Sequence, residues 1–571
     1  MSKIKPKQAT AKQIFSGFDG IRCASSQKES AAADIRNFRI RCDGTLEKRG
    51  GWEPVCSFSA TIRGFWQGTL EGVNTTFVVA GTTVYRLTDD SEPRQVGTVG
   101  TAATRISFFR LAGELYLLDG STLRIYLPLP DTFREVIPYA PLCGENWHPE
   151  HYGNAKEPIN LLTDRLRIHY LNSTSTTKFH LPYYAKAVDK VLLDNVAVQE
   201  YTLSALGDSV EIPAAASASS VEIAMRMEYT HEMTEDLLSC TESFVFEDDG
   251  TDTVFLFGSK KGYPIFISTP VLNHMESYCK VFYPMTDPIY VTPGSVRYFG
   301  SAAHPVRAMC RHFRRVLAFN SEGIFALEQD KGSDQWEGHV ALTGLGCNSR
   351  HGVLPYPNGF VLLDKTGLYH LKSIITQPDR FEATRINCPL CEGLDELSLS
   401  RSELHYNIHQ DELWLRNPND AQGLVWVRNN RTEQWYCFDN IPARDFFWDD
   451  LGGGFLYQGK LCRFRENLHT DNGLPFEAYY QSEYFTFDSP ETVKRALRAC
   501  LCGTSGGNTA YLTLQTEQET RFLSLVGKDD APIECFDRRV PIGRFRFLRF
   551  RISVTGNEAS RFYSLSLYTK A

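Results

Sequence analysis

The sequence of 571 residues lacks a secretory leader, a long apolar run and an excess of basic residues. Lysines are frequent in the first twelve residues, but no apolar stretch follows them, so a signal peptide is not indicated. No stretch reaches the roughly 18 uninterrupted apolar residues that a membrane helix needs. The formal net charge is −8, whereas proteins that bind free duplex DNA usually present a basic surface. We therefore expect a chain made and folded in a cytoplasm, with no membrane-spanning segment.

The common catalytic motifs are also missing. His231-Glu232 begins a zinc-protease pattern, but Glu235 stands where the second histidine is required. The stretch 503–507 has the Gly-x-Ser-x-Gly spacing around Ser505, but a strand-like run near Tyr511 follows it instead of the required helix. Paired catalytic carboxylates cannot be placed from the sequence. We predict no enzymatic activity and no cofactor.

The fifteen cysteines do not form a recognisable metal-binding pattern. Cys388 and Cys391 make one Cys-x-x-Cys pair, without a second pair at zinc-finger spacing. Cys500 and Cys502 are two residues apart on a predicted strand, so they point to the same face. We interpret them as core thiols in a cytoplasmic protein, and we predict no metal site.

What the sequence does contain is aromatic, glycine-punctuated β-structure. Aromatic residues make up 12% of the chain, and most of the 42 glycines fall between short apolar runs. Paired apolar runs separated by a turn recur, most of them with an aromatic residue, at irregular spacings of about 40 to 50 residues. They occupy residues 77–87, 115–126, 316–327, 360–371, 412–438 and 454–464. Such hairpins are typical of propeller blades, and a series of β-sandwiches is the competing interpretation.

We therefore predict an all-β chain: an irregular β-propeller with an inserted small β-sandwich and a C-terminal β-sandwich or jelly roll. The predicted divisions are an extended N-terminal arm and hairpin, the first blades, the insertion, the remaining blades and the C-terminal sandwich. They span residues 1–57, 58–145, 146–235, 236–470 and 471–571. The hairpin of the first segment is predicted from the Asp43-Gly44 turn signal.

Four arginines near the C-terminus alternate mostly with aromatic residues. Arg544 and Arg546 share one strand face, and Leu548 follows on that face, so Arg549 and Arg551 are expected on the opposite face unless a bulge intervenes. The arginines suit ion pairs between subunits of a ring, or they protect an edge strand from aggregation. Both interpretations remain open.

Three short strings resemble the bacteriophage tail nozzle, tail tubular and packaged-DNA stabilisation (head-completion) proteins. The first string contains Phe15 to Asp19, Asn37, Gly44, Leu46, Arg49, Gly50 and Trp52. The second runs from Gly346 to Ser349 and continues at residues 358–369. The third is Lys494-Arg495 between two strand-like runs.

This resemblance implies a structural virion protein of the tail or portal vertex. Such a protein would form a ring, expected to be a hexamer, that binds portal, adaptor and other tail proteins. The ring would enclose and retain packaged DNA without sequence-specific contact and let it pass on ejection. The candidate assembly interface comprises Phe15, Phe18, Asn37, Arg49, Trp52, Arg544, Arg546, Arg549 and Arg551. A chain without residues 1–20 is then expected to fold but not to join particles.

Two alternatives remain. The first is a tail-tip or receptor-binding propeller protein. The second is a carbohydrate-active propeller enzyme, which requires a convergent cluster of carboxylates or histidines on one propeller face.

Overall fold

The structure is a computed structural model. It describes residues 10–21, 31–88, 92–101, 105–151, 153–248, 251–268, 281–284, 295–330, 335–374, 377–389, 401–417, 420–449, 452–487, 490–525, 533–540 and 542–570. The chain forms two compact units, which we call the terminal unit (residues 1–59 and 347–571) and the middle unit (residues 60–346).

The terminal unit begins with five short strands. They are β1 (Thr10–Phe15), β2 (Ala32–Arg36), β3 (Phe38–Ile40), β4 (Leu46–Lys48) and β5 (Gly51–Ser57). Strands β3 and β4 pair as an antiparallel hairpin around the Asp43-Gly44 turn, where Gly44 has a positive φ of 81°. This conformation is one that glycine adopts at little cost. The other three strands pair with distant parts of the same unit.

The middle unit starts with two four-stranded antiparallel sheets, blades 1 and 2. Blade 1 contains β6 (Ile62–Leu70), β7 (Val73–Ala80), β8 (Thr83–Thr88) and β9 (Arg94–Thr98). Blade 2 contains β10 (Ser107–Leu111), β11 (Glu114–Leu118), β12 (Leu123–Leu127) and β13 (Thr132–Glu135). Phe77 and Val79 of β7 share one core with Leu115 and Leu117 of β11. The two sheets therefore stack face to face, as blades do.

An inserted domain follows blade 2. Its larger sheet has the order β15-β14-β16-β22-β18-β19, and its smaller sheet has the order β17-β21-β20. The strands are β14 (Leu142–Trp147), β15 (Asn154–Ala155), β16 (Arg165–Leu171), β17 (Lys178–His180), β18 (Ala185–Leu193), β19 (Val196–Val198), β20 (Thr202–Leu203), β21 (Ser209–Glu211) and β22 (Ser220–Met227). A 3₁₀ turn at Pro213–Ser217 completes it, and the helix α1 (Met233–Leu238) follows the domain. Ile168 and Ile223 of the larger sheet pack with Phe179 and Val210 of the smaller one.

Blades 3 and 4 complete the middle unit. Blade 3 contains β23 (Glu242–Asp248), β24 (Thr251–Phe257), β25 (Pro264–Ile267) and β26 (Val296–Tyr298). Blade 4 contains β27 (Ala308–His312), β28 (Arg315–Phe319), β29 (Gly323–Gln329) and β30 (Trp336–Thr343). Leu118 of blade 2 packs with Leu256 of blade 3, and Phe255 of blade 3 packs with Val316 of blade 4. The stacking of blades 1 and 2 thus continues through blades 3 and 4.

The terminal unit contributes blades 5 to 7. Blade 5 contains β31 (Val353–Tyr356), β32 (Gly359–Asp364), β33 (Gly367–Ile374) and β34 (Gln377–Ile386). Blade 6 contains β35 (Glu403–Asn407), β36 (Glu412–Arg416), β37 (Val425–Asn429) and β38 (Trp435–Phe438). Blade 7 contains β39 (Phe446–Asp449), β40 (Gly452–Tyr457) and β41 (Lys460–Arg465), and the N-terminal β5 pairs with β41 as its fourth strand. A Cβ atom on Gly51 of β5 would lie 1.9 Å from the Thr470 carbonyl oxygen, so this junction requires glycine.

A β-sandwich closes the terminal unit. Its strands are β42 (Thr470–Asp471), β43 (Leu474–Ser482), β44 (Lys494–Thr504), β45 (Thr509–Thr516), β46 (Thr520–Leu525), β47 (Glu534–Arg539), β48 (Arg544–Phe545), β49 (Leu548–Gly556) and β50 (Arg561–Lys570). One sheet has the order β3-β4-β50-β44-β47, and the N-terminal β1 pairs with β50. In the other sheet, β43 lies between β2 and β49. Of the segment predicted as an extended arm, β1, β3 and β4 thus belong to one sheet of the sandwich and β2 belongs to the other.

These sheets confirm the predicted fold class, an irregular β-propeller with an inserted β-domain and a C-terminal β-sandwich. The predicted hairpins are the middle strands of blades, such as β7 with β8, β11 with β12, and β32 with β33. Within the described residues, no helix is long and apolar enough to span a membrane.

Candidate active site

Blades 5, 6 and 7 each place a titratable side chain at the start of their first strand. His351 lies two residues before β31, Glu403 is the first residue of β35, and Asp445 immediately precedes β39. One imidazole nitrogen and one oxygen of each carboxylate all lie within 4.8 Å of one another. Equivalent positions of three successive blades thus converge on one cluster, which we call the blade-start cluster.

Local hydrogen bonds fix this convergence. The Leu404 amide donates to the His351 carbonyl at 2.8 Å, which joins the starts of β31 and β35. The Arg350 guanidinium donates to the Asp445 carboxylate at 2.7 Å and brings the start of β39 to the same place. The His351 Nε2 lies 3.6 Å from the same carboxylate oxygen. A backbone hydrogen bond and an ion pair therefore hold the starts of the three strands together.

A second imidazole and a buried arginine extend the cluster. His405 Nε2 lies 3.4 Å from the Glu403 carboxylate. Arg416 is directly opposite Glu403 in the ladder of β35 and β36 and is only 4% exposed. Among the described residues, its Nε and Nη1 have no hydrogen-bond partner. Burial lowers the pKa of Arg416, whereas Glu403 and Asp445 act to raise it. Unsatisfied buried donors are rare in folded proteins.

The cluster supports two kinds of chemistry. Neighbouring carboxylates can divide the work of proton donor and nucleophile in glycosidic bond cleavage. One imidazole nitrogen and two carboxylate oxygens at this spacing can also coordinate a divalent cation. Sequence motifs did not reveal the site because His351, Glu403 and Asp445 are about 40 to 50 residues apart along the chain. The only local signal is a charged side chain beside the first strand of each blade.

The N-terminal residues of the predicted assembly interface lie inside the terminal unit. Phe15 packs edge-on against Phe485 and Phe550, and Phe18 packs against Tyr480. Trp52 donates its indole N–H to the Asn440 carbonyl at 2.9 Å. The five residues Phe15, Phe18, Asn37, Arg49 and Trp52 are between 0% and 6% exposed. They join the N-terminal strands to their own chain and leave almost no surface for a partner.

Asn37 and Arg49 form a buried polar network with Asp439, which follows the last strand of blade 6, and with Asp471 of β42. The Arg49 guanidinium forms a bidentate ion pair with Asp471, at 2.8 and 2.5 Å. Its Nε donates to the Asn37 side-chain oxygen at 2.8 Å, and the Asn37 amide donates to Asp439 at 2.6 Å. Asn37 has a positive φ of 57°, a conformation that asparagine tolerates better than most residues. The motif that carries the family resemblance thus has a structural role in this chain.

The four C-terminal arginines all avoid the core. Strand pairing breaks after β48, so that Phe545, Leu548 and Phe550 are all buried. Arg544 and Arg546 are exposed, and the half-buried Arg549 and Arg551 lie on the solvent side of β49. Arg551 pairs with Glu477 and lies 3.7 Å from the centre of the Tyr479 ring. Of the predicted interface residues, only these arginines offer surface to a partner.

No protein-family model matches the chain, and no curated protein matches it. Solved structures that it resembles include the CNH domain of AfRom2, at 9% identity and a TM-score of 0.33, covering 73% of this chain and 99% of that one. An exo-β-1,3-galactanase from Phanerochaete chrysosporium is 10% identical with a TM-score of 0.17, covering 81% and 95%. A family 43 arabinoxylan arabinofuranohydrolase from Bacillus subtilis is 10% identical with a TM-score of 0.19, covering 57% and 78%.

Glycoside hydrolases are among these structures, and the prediction that the chain is not an enzyme is not maintained. That prediction depended on the absence of a linear motif, whereas a propeller can assemble a site from separate blades. At these identities the likeness concerns the fold alone, and no residue role is transferred from these proteins to this chain.

Proposed function

We propose that the protein is a carbohydrate-active enzyme that hydrolyses glycosidic bonds at the blade-start cluster. The observation that carries the proposal is the convergence of Glu403 and Asp445, with one oxygen of each within 4.8 Å, from the first strands of two blades. A carbohydrate-active propeller requires a convergent carboxylate or histidine cluster of this kind.

We assign one role to each carboxylate. Asp445, which accepts a hydrogen bond from the Arg350 guanidinium, acts as the nucleophile on the anomeric carbon. Glu403 lies beside the His405 imidazole and acts as the general acid. It gives a proton to the departing glycosidic oxygen. Glu403 then removes a proton from water, which cleaves the ester formed between the sugar and Asp445. The short spacing fits a retaining mechanism, whose carboxyl groups are about 5 to 5.5 Å apart.

Site-directed variants test this function. The full-length protein is screened against a panel of aryl glycosides and oligosaccharides, and released reducing ends are measured. Glu403→Gln is expected to lower kcat by about 100-fold or more, and thermal melting of each variant shows whether it is folded. Glu135→Gln, an exposed carboxylate on β13 of the middle unit, is the matched control and should keep full activity. Equal turnover by both variants, or no turnover of any glycan by the wild type, contradicts the proposal.

Chelation separates the two chemistries that the cluster supports. Because the carboxylates act directly in the proposed mechanism, treatment with EDTA should leave the rate of hydrolysis unchanged. A loss of activity that added divalent cation restores would assign the cluster to a metal centre.

As a second candidate, we propose a subunit of a phage tail nozzle or head-to-tail conduit. The support is the resemblance of the N-terminal string, together with two exposed cations, Arg544 and Arg546, suited to ion pairs between copies.

Mass photometry of the protein alone and with portal–adaptor complexes tests this second candidate, and rings or docked complexes are expected. The Arg544→Glu/Arg546→Glu variant should form neither rings nor docked complexes. Arg134→Glu, which changes an exposed arginine on β13, should still form them. A persistent monomer that ignores these complexes contradicts this candidate.

A further inference from the structure

Three thiols converge on the solvent-facing side of the terminal sandwich. Cys500 and Cys502 lie on β44, and Cys535 lies on the adjacent β47. Cys502 is directly opposite Cys535 in the antiparallel ladder, with their sulfurs 2.8 Å apart, and all three sulfurs lie within 4.8 Å. The interpretation of Cys500 and Cys502 as core thiols is wrong, because both are half-exposed and Cys535 is exposed.

The strand pattern places these thiols outside the core for a simple reason. Side chains alternate between the two faces of a strand, and the intervening Leu501 and Phe536 are buried. The thiol side of the sheet therefore meets solvent, and metal ions can reach it without opening the fold.

We propose that Cys500, Cys502 and Cys535 form a binding site for a thiophilic divalent cation, of which Zn²⁺ is the representative. Three thiolates are a ligand set that soft and borderline cations prefer over Mg²⁺ or Ca²⁺. Sulfurs bound tetrahedrally at about 2.3 Å from zinc lie about 3.8 Å apart, which the observed spacing reaches with small rotamer changes. The fourth position faces solvent and takes water or an external ligand.

Several thiolates side by side repel one another, and a bound cation removes that repulsion. Binding therefore releases up to three thiol protons to solvent as the sulfurs become ligands.

A disulfide is the competing fate of the cluster. The sulfurs of Cys502 and Cys535 are close enough to be joined, but a disulfide between them would leave Cys500 unused. Metal coordination uses all three sulfurs.

Metal titration of the reduced full-length protein tests the site. After reduction, desalting and dialysis against Zn²⁺, we expect one tightly bound zinc per chain by elemental analysis. Co²⁺ as a spectroscopic probe should give sulfur-to-cobalt charge-transfer absorption. Cys500→Ser, Cys502→Ser and Cys535→Ser should each weaken binding at least tenfold. Cys42→Ser, which removes an exposed thiol outside the cluster, should bind as the wild type does.

Thermal melting provides a second readout, because a cation that binds only the folded state raises the melting temperature. Zn²⁺ should raise it for the wild type and Cys42→Ser but not for Cys535→Ser. Equal zinc content in the wild type and Cys535→Ser overturns the proposal. A reduced protein that retains no zinc but forms a Cys502–Cys535 disulfide on air oxidation overturns it as well. Neither result depends on whether the chain cleaves glycans.

Discussion

At the scale of single residues, Arg49 is a buried cation that sequence reasoning assigned to an assembly interface. Arg49 is 2% exposed and meets the fully buried Asp471 carboxylate in a bidentate pair. The ring of Phe476 lies 4.1 Å from the guanidinium carbon. Removing one member of such a pair leaves the other charge buried and uncompensated.

We expect Arg49→Ala to destabilise the folded protein by about 3 to 5 kcal/mol. Chemical denaturation followed by tryptophan fluorescence measures the loss. Arg549→Ala, a half-buried arginine on β49, is the matched control and should cost less than about 1 kcal/mol. A similarly small loss for Arg49→Ala would show that the pair contributes little to folding.

Asp119 is a second residue whose environment makes a quantitative prediction. It is buried, and burial opposes its ionisation, but hydrogen bonds from Ser121, Thr122 and the Gly100 amide outweigh that effect. Together they lower the pKa of Asp119 to about 2. A carboxyl whose pKa is lower in the folded state stabilises that state above its unfolded pKa, here about 4, and the contribution is lost as pH falls towards 2.

Asp119→Asn should therefore destabilise the protein by about 2 kcal/mol at pH 7. The difference from the wild type should shrink between pH 4 and pH 2, where the native carboxyl takes up its proton. Thermal melts of both proteins across this range check the prediction. A difference that stays constant down to pH 2 would show that the carboxylate charge is not what stabilises the turn.

At the scale of elements, the blade hairpins could be predicted from the sequence, whereas the pairing of the N-terminal strands could not. Asp119 follows β11 and Asp364 ends β32, and each accepts hydrogen bonds from the residues of the turn. Asn320 does the same after β28. Such turns have a local signature, so the blade hairpins follow from sequence. Strands β1, β2 and β5 pair with residues more than 400 positions away, and no local pattern specifies those partners.

The blade-start cluster could not be predicted from the sequence for a related reason. Its residues are separated by whole blades, and each is an ordinary charged residue in its own segment. Only the stacking of blades 5 to 7 brings them together. The same holds for Cys535, whose pairing with Cys502 depends on the register of β44 and β47.

The pairing of the N-terminal strands leads us to expect that residues 1–20 contribute to folding, in contrast to the prediction from the sequence. Strand β1 pairs with β50 along its length, and Phe15 and Phe18 are buried in the sandwich core. Deleting residues 1–20 should lower the melting temperature, and Phe15→Ala alone should cost about 3 to 5 kcal/mol. Ile14→Ala changes a neighbouring side chain that is 53% exposed and should have little effect. A truncated chain that melts like the wild type would contradict this role of β1.

At the scale of the whole molecule, we propose that the propeller blades of the terminal unit carry a retaining glycosidase site. The most direct measurement is covalent trapping with a panel of 2-deoxy-2-fluoro glycosides, followed by intact-mass analysis and peptide mapping. These reagents form the sugar ester with the nucleophile and hydrolyse it slowly. We predict one sugar adduct per chain on the peptide that contains Asp445, and none in the Asp445→Asn variant. No adduct with any sugar of the panel, or an adduct that Asp445→Asn retains, would contradict the account.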